Sequence, residues 1–275
     1  MMIDITDYNS PLLDIYARMT EPQLKMIYAP DGGIFVAESP MVIERALDAG
    51  YEPESVLTCK EALTGHGKQV TDRIGKLYPD VPIYVGSDEA LSRIRGYQLT
   101  RGVLCAMKRR DRITPGDILK DSKRVVLLDD VENPSNVGAI IRSAAAMYMD
   151  GVLLTKDCSD PLYRRAARVS VGTVFQIPWA YIDDTQDRIG LFKRYGFKTV
   201  AMALNDRAIP ISDKRLADEE KIIIIMGNEG YGLKEETIDM CDHVVKIPMA
   251  EGIDSLNVAA ASAVAFYVLG TGIEH

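Results

Sequence analysis

Five polar residues stand in otherwise apolar or glycine-rich surroundings, and their types suit the handling of a hydroxyl and an anion. Two lie in Asn133-Pro134-Ser135-Asn136-Val137-Gly138-Ala139-Ile140-Ile141-Arg142. Asn136 is the expected N-cap of the helix that follows, and Arg142 is the only charge on that helix. A guanidinium so placed is either paired with an internal carboxylate or used as an anion clamp. The third, Glu229, sits in Met226-Gly227-Asn228-Glu229-Gly230-Tyr231-Gly232-Leu233. Glycines at this density let the backbone turn sharply or let a ligand approach closely. Glu229 is then either a solvated turn residue or a group that orients a polar substrate atom. The last two, Ser255 and Asn257, open an apolar helix read as Leu256 to Leu269. Capping by Asp254 or Ser255 accounts for Ser255. It accounts poorly for Asn257, which falls inside the first turn.

The elements that must position these residues can be read from periodicity. From Arg124 onward strands alternate with helices. The strands are 124–128, 151–155, 174–177, 198–203, 221–226 and 244–247. The helices are 137–149, 161–169, 185–195, 234–240 and 256–269. Runs such as Ile222-Ile223-Ile224-Ile225 suit a parallel sheet buried on both faces. The alternation predicts an open α/β sheet with helices on both sides. Ligands bind at the C-terminal ends of such strands, which selects the loops 129–136, 227–233 and 248–255.

The first half reads as a smaller α/β domain. Its strands are 33–37, 54–58, 81–85 and 102–107. A helix at 40–49 is capped by Ser39 with Pro40 at its first position. Further helices are expected at 67–77 and 87–95, and Pro82 marks an edge or end. Residues 1–21 read as an irregular or short helical extension, 22–110 as the first domain, 111–121 as a linker and 122–275 as the second domain.

The chain has 275 residues, 47% of them hydrophobic, enough for a sizeable core. No apolar run approaches a membrane span, and the N-terminal residues lack a secretory pattern. The four cysteines are scattered without a C-x-x-C pair, so a reduced cytoplasm is the expected compartment. No histidine and cysteine cluster is present to bind a metal. A net charge of −8 argues against gripping nucleic acid with the whole surface. Local patches remain: Arg93, Arg95, Arg101, Arg109 and Arg110, and then Arg164, Arg165 and Arg168. Two basic patches on one acidic chain are expected to contact phosphates.

The set N-x-G-A-I-x-R at 136–142, G-N-E-G-x-G-L at 227–233 and I-P-M…S-L-N-V-A at 247–259 resembles the three motifs of the SpoU (TrmH-like) RNA 2′-O-ribose methyltransferases. The likeness covers about residues 122–270. Residues 33–38, 46–50 and 101–106 also resemble the ribosomal-protein-like substrate-binding domain that precedes many of these enzymes.

The resemblance implies a parallel sheet whose C-terminal part threads a trefoil knot. It implies S-adenosylmethionine bound by the knot loops, here at Met226, Gly227, Ile247, Met249 and Leu256. It implies a homodimer in which first-motif residues complete the partner's site. Arg142 matches the catalytic arginine, and Asn136, Glu229, Ser255 and Asn257 match the other polar site residues. The substrate would be structured RNA, with ribosomal RNA favoured over transfer RNA. One departure is Glu251, which stands where members carry glycine.

The same residues bear on three other classes. A non-catalytic RNA-binding protein could keep the fold, but it would not need the intact polar set. An NAD enzyme would need G-x-G-x-x-G, whereas the spacing here is G-x-x-G-x-G. A serine hydrolase is weaker still: no G-x-S-x-G occurs, and none of His66, His243 and His275 is placed as a base.

Overall fold

A computed structural model describes residues 1–28, 32–87, 102–111, 113–183, 187–253 and 255–270. The chain divides into two units. One comprises Met1–Asp111 and Leu162–Phe175, the other Arg112–Pro161 and Gln176–His275. No helix among the described residues is long and apolar enough to cross a membrane.

The first unit contains β1 (Met2–Asp4), α1 (Asp14–Ala17), α2 (Glu21–Met26), β2 (Ile34–Glu38), α3 (Pro40–Asp48), β3 (Pro53–Cys59), α4 (Gly65–Leu77), β4 (Ile83–Gly86) and β5 (Val103–Lys108). The sheet order is β1-β4-β3-β5-β2. β5 runs antiparallel to both its neighbours, whereas β1, β4 and β3 are mutually parallel. The N-terminal residues include the short helical piece expected there, α1, and also a strand that was not expected. Met2 to Asp4 pair with Ile83 to Val85, and Leu13 and Tyr16 join the core with Ile34, Leu57 and Leu104. A three-residue strand is too short to show its period in sequence. The expected helix at 87–95, and with it Arg93 and Arg95, lies almost wholly outside the described residues, as does Arg101.

Ser39 occupies the N-cap position of α3, but its side chain makes no cap bond and its φ is +94°. The buried hydroxyl has no hydrogen-bond partner among the described residues. A non-glycine residue in this region carries strain, and an orphan buried hydroxyl adds a desolvation cost. Ser39→Gly is therefore expected to stabilise the protein by about 1 kcal/mol or more. Ser39→Ala should gain less, because it removes the hydroxyl and keeps the strain. Urea denaturation measures both, and an unchanged midpoint for Ser39→Gly would contradict the strain assignment.

The second unit contains α5 (Pro115–Leu119), β6 (Arg124–Leu128), α6 (Pro134–Ala146), β7 (Gly151–Leu154), β8 (Trp179–Tyr181), α8 (Arg188–Arg194), β9 (Lys198–Met202), β10 (Ile209–Pro210), α9 (Lys214–Ala217), β11 (Ile222–Met226), α10 (Glu235–Met240), β12 (His243–Lys246) and α11 (Val258–Leu269). The remaining helix, α7 (Arg164–Val169), belongs to the first unit. All pairings in the seven-stranded sheet are parallel, in the order β10-β12-β9-β11-β6-β7-β8. Every residue of β6 and β11 is buried, as their apolar runs require.

Two expectations are corrected here. The linker read at 111–121 contains α5, started by a reciprocal Thr114–Asp117 capping box. Ile118 and Leu119 of that helix are core residues. The strand expected at 174–177 is instead a 3-10 turn, Thr173–Phe175, and the strand comes later as β8. β10 and α9 were not anticipated, because elements of two and four residues carry no periodicity.

Arg124 secures the far end of α11. Its guanidinium donates to the carbonyls of Leu269, Glu220 and Glu219 at 2.7 to 3.0 Å. It thereby ties the helix that begins at the third motif to the central strand β6.

Candidate active site

The loops after β9, β11 and β12 meet at the C-terminal edge of the sheet, around a cavity of about 470 Å³, and the loop after β6 is hydrogen-bonded to the loop after β11. The cavity is lined by Met226, Gly227 and Glu229 of the second motif. Ile247, Met249, Ser255, Leu256 and Asn257 of the third complete that side. Neither Asn136 nor Arg142 lines it.

Gly227 is required by a close approach rather than by φ. A Cβ there would lie 2.4 Å from the Gly232 carbonyl carbon and 2.6 Å from the Leu233 nitrogen. The two limbs of the loop are clamped by Asn228 N–H to Gly232 O (3.1 Å) and Gly232 N–H to Asn228 O (3.0 Å). The Asn228 amide donates to Asp130 O at 2.9 Å, joining the second loop to the first.

Glu229 is the hub. Its Oε1 accepts from Asn133 N–H at 3.1 Å and from Asn136 Nδ2 at 2.8 Å, and its Oε2 accepts from Glu132 N–H at 3.3 Å. Partial burial pushes its carboxyl up, but these donors outweigh burial and hold it below its usual value. Glu229 is thus an ionised anchor at neutral pH. Engaged by three donors, it positions other groups rather than serving as a free base.

Asn136 passes the connection on. Its Oδ1 accepts from Asn257 Nδ2 at 3.2 Å, and Asn257 Oδ1 accepts from Ala259 N–H at 2.9 Å. One hydrogen-bonded line, Glu229–Asn136–Asn257, therefore joins all three motifs.

Two capping assignments change. The N-cap of α6 is Asn133, whose Oδ1 accepts from Ser135 N–H with Pro134 behind it. Asn136 lies inside the helix, where its buried amide is free for the relay. The N-cap of α11 is Asn257, not Ser255. Asn257 needs both ends of its amide, one as cap and one for Asn136, which is why capping alone explained it poorly. Asp254 lies outside the described residues. Ser255 is exposed at the cavity.

Arg142 follows Asn136 by about one and two-thirds helical turns, so the two point to different sides of α6. Asn136 faces inward, and Arg142 is exposed. Arg142 makes no ion pair among the described residues, which removes the internal salt bridge as its role.

Glu251 occupies an exposed turn in which Ile253 N–H donates to Ala250 O at 3.2 Å. Gly252 takes the positive φ of +81° in that turn. The departure at Glu251 is thus absorbed one residue later, and Glu251 does not line the cavity.

The basic residues are differently employed. Arg168 and Arg164 both pair with Glu38, at 3.1 and 3.0 Å, and that carboxylate is 1% exposed. Arg109 donates to Ile34 O at 3.4 Å. Arg110 donates to Ala49 O and lies over the Tyr51 ring. Among the described residues of the two patches, Arg109, Arg110, Arg164 and Arg168 thus each have a carbonyl or carboxylate partner within the fold.

Sequence reading missed Leu204, Tyr231 and Glu235, which also line the cavity. Leu204 follows β9, and the strand-end rule extended to that strand would have found it. Tyr231, whose hydroxyl donates to Asp130, stood inside the second motif.

Residues 123–267 match the SpoU rRNA methylase family. The chain belongs to that family. It is accordingly an RNA methyltransferase. It is 31% identical to an uncharacterized tRNA/rRNA methyltransferase of Mycobacterium bovis, over 96% of this chain and 90% of that one. It is also 31% identical to a 23S rRNA (guanosine-2′-O-)-methyltransferase of Acinetobacter baylyi, over 78% of this chain and 89% of the other. Among solved structures it resembles an AdoMet-bound rRNA methyltransferase from Sinorhizobium meliloti. The TM-score is 0.79 at 23% identity, covering 98% of this chain and 97% of that one. The SpoU α/β fold is thus shared along nearly the whole chain.

Proposed function

We propose that this SpoU-family chain transfers the methyl group of S-adenosylmethionine to a ribose 2′-hydroxyl of structured RNA, in ribosomal rather than transfer RNA. The observation that carries the reading is the Glu229–Asn136–Asn257 relay beside a glycine-walled cavity. The cavity volume suits a nucleoside-sized ligand. Met226, Met249 and Leu256 offer apolar surface, and the glycine loop offers backbone groups at close range. When bound, S-adenosylmethionine supplies an electrophilic methyl group on a sulfonium.

The chain's own part is positioning and charge. Glu229 holds loop 129–136 against the cavity, and Asn257 fixes the start of α11. Ser255 offers an exposed hydroxyl to a polar substrate atom. The Arg142 guanidinium donates N–H groups to the developing alkoxide and the neighbouring phosphate. The relative that acts on 23S rRNA favours ribosomal RNA. The first unit, with Arg93, Arg95, Arg101, Arg109 and Arg110, would select the RNA, and the cytoplasm is where that RNA is found.

Because Arg142 faces away from its own cavity, the site is completed by a second copy of the chain. An exposed stripe accompanies it: Ala260, Val264 and Tyr267 recur on one side of α11, which contacts α6. Val264→Glu is expected to leave a monomer with little activity, since an unpaired charge buried in the seam costs several kcal/mol. Sedimentation at working concentration, alongside methyl transfer, tests this. An active monomer would remove the dimer from the reading.

The deciding experiment maps ribose methylation in total RNA from cells with and without this protein. In parallel, purified protein is given labelled S-adenosylmethionine with ribosomal or transfer RNA. Cells without the protein are expected to lose 2′-O-methylation at one ribose of ribosomal RNA. Label in transfer RNA alone would overturn the substrate choice, and no binding of S-adenosylmethionine would overturn the reading altogether.

A further inference from the structure

The loop that grips Glu229 is itself gripped from its other edge. Asp130 N–H donates to Thr155 Oγ1 at 2.9 Å, and Val131 N–H donates to Cys158 Sγ at 3.2 Å. Ser159 N–H donates to Val131 O at 3.0 Å, and the Ser159 hydroxyl donates to Glu132 O. The facing edge of the same residues binds the second motif, through Asn228 on Asp130 O and through Glu132 and Asn133 N–H on Glu229. Residues 130–133 are a backbone ribbon held between the turn 155–159 and the glycine loop.

The ribbon needs such a hold. Asp130 has φ +62°, a conformation that costs a residue with a Cβ. The turn is built for the purpose: Thr155 is 1% exposed and Cys158 6% exposed. Burial pushes the Cys158 thiol up, so it stays protonated and donates to Leu128 O at 3.3 Å while accepting from Val131. None of the three side chains lines the cavity, so direct contact with a methyl donor is not their task.

We propose that Thr155, Cys158 and Ser159 are positioning residues for methyl transfer, setting the backbone of 130–132 and, through it, the Glu229 carboxylate and the relay to Asn257. The proposal rests on the ribose-methyltransferase reading of the site. Small displacements of reacting groups are costly: about 1 Å can lose a hundredfold in rate. The turn therefore governs turnover rather than binding.

The test uses the full chain carrying Thr155→Val and Ser159→Ala, singly and together. The double variant is expected to bind S-adenosylmethionine within about twofold of wild type and to keep its KM for RNA, while kcat falls about a hundredfold. Thr155→Ser with Ser159→Thr, which restores both hydroxyls, should recover most of that loss. The carbon-13 resonance of the Glu229 carboxylate, assigned by its absence in Glu229→Gln, should move in the double variant and return in the restored one. An unchanged kcat, a loss that the restored hydroxyls do not repair, or a loss with an unmoved Glu229 resonance would each overturn the proposal. If the double variant does not fold, Ser159→Ala alone, which removes one partly exposed bond, should show the same pattern at about a tenfold effect. Wild-type protein that methylates no RNA would instead defeat the underlying reading, while the resonance still reports on the positioning.

Discussion

Arg142→Ala is expected to lower methyl transfer by roughly a hundredfold to a thousandfold, the usual loss when a preorganised charge stabiliser is removed. S-adenosylmethionine affinity should barely change, because Arg142 does not line the cavity of its own chain. Stability should be near wild type, because the side chain is exposed and unpaired among the described residues. The sharper measurement mixes two inactive proteins, Arg142→Ala and Glu229→Ala. If the proposed dimer forms, half the dimers in a random mixture are mixed, and each mixed dimer has one cavity with an intact Glu229 facing an intact Arg142. About a quarter of wild-type turnover should return, as expected for a two-fold symmetric assembly with shared sites. Mixtures as inactive as their components would show that Arg142 serves its own chain, and wild-type turnover by Arg142→Ala alone would end the catalytic assignment.

Gly227→Ala should act on the other half of the reaction. The added methyl group meets backbone, not the end of a flexible side chain: the Gly232 carbonyl and the Leu233 nitrogen, all within 2.6 Å. Something in the loop 227–233 must move. Overpacking of this kind costs about 1–3 kcal/mol. If the strain is relieved by opening the loop, it appears as about a tenfold to a hundredfold loss of S-adenosylmethionine affinity. Calorimetry should therefore separate the two variants cleanly, with Arg142→Ala binding but not turning over and Gly227→Ala binding poorly. Gly232→Ala is a useful contrast, since no atom lies within 4 Å of its added Cβ and only its φ of +71° opposes it.

Much of this was legible before any coordinates. The apolar runs 124–128 and 222–226 could only be central parallel strands, and the rule that ligands gather at strand C-termini selected two of the three loops that line the cavity and the loop after β6 that is bonded to one of them. Capping was the instructive failure. Asn133 followed by Pro134 is a better cap and first-turn pair than Asn136, yet both asparagines fit the local rule. The choice mattered, because it decided whether Asn136 was spent on its own helix or left free for Glu229. Asn257 failed for a related reason: one amide has two ends, and a cap uses only one of them.

The sequence by itself determined the chemistry available. It supplied a lone guanidinium on an apolar helix, a carboxylate between glycines, and a serine and an asparagine ahead of a buried helix, spaced as in SpoU methylases. Those are properties of residue type and order, and local patterns preserve them. Only the tertiary structure decided who touches whom. Glu229 reaches Asn133 and Asn136 across more than ninety residues, Asn257 reaches Asn136 across 121, and the turn 155–159 braces the loop from behind. It also turned Arg142 outward and gave Arg168 to a buried Glu38. Such contacts arise where strands distant in sequence become neighbours in one sheet, and nothing in a strand's own residues names the loop that will lie beside it.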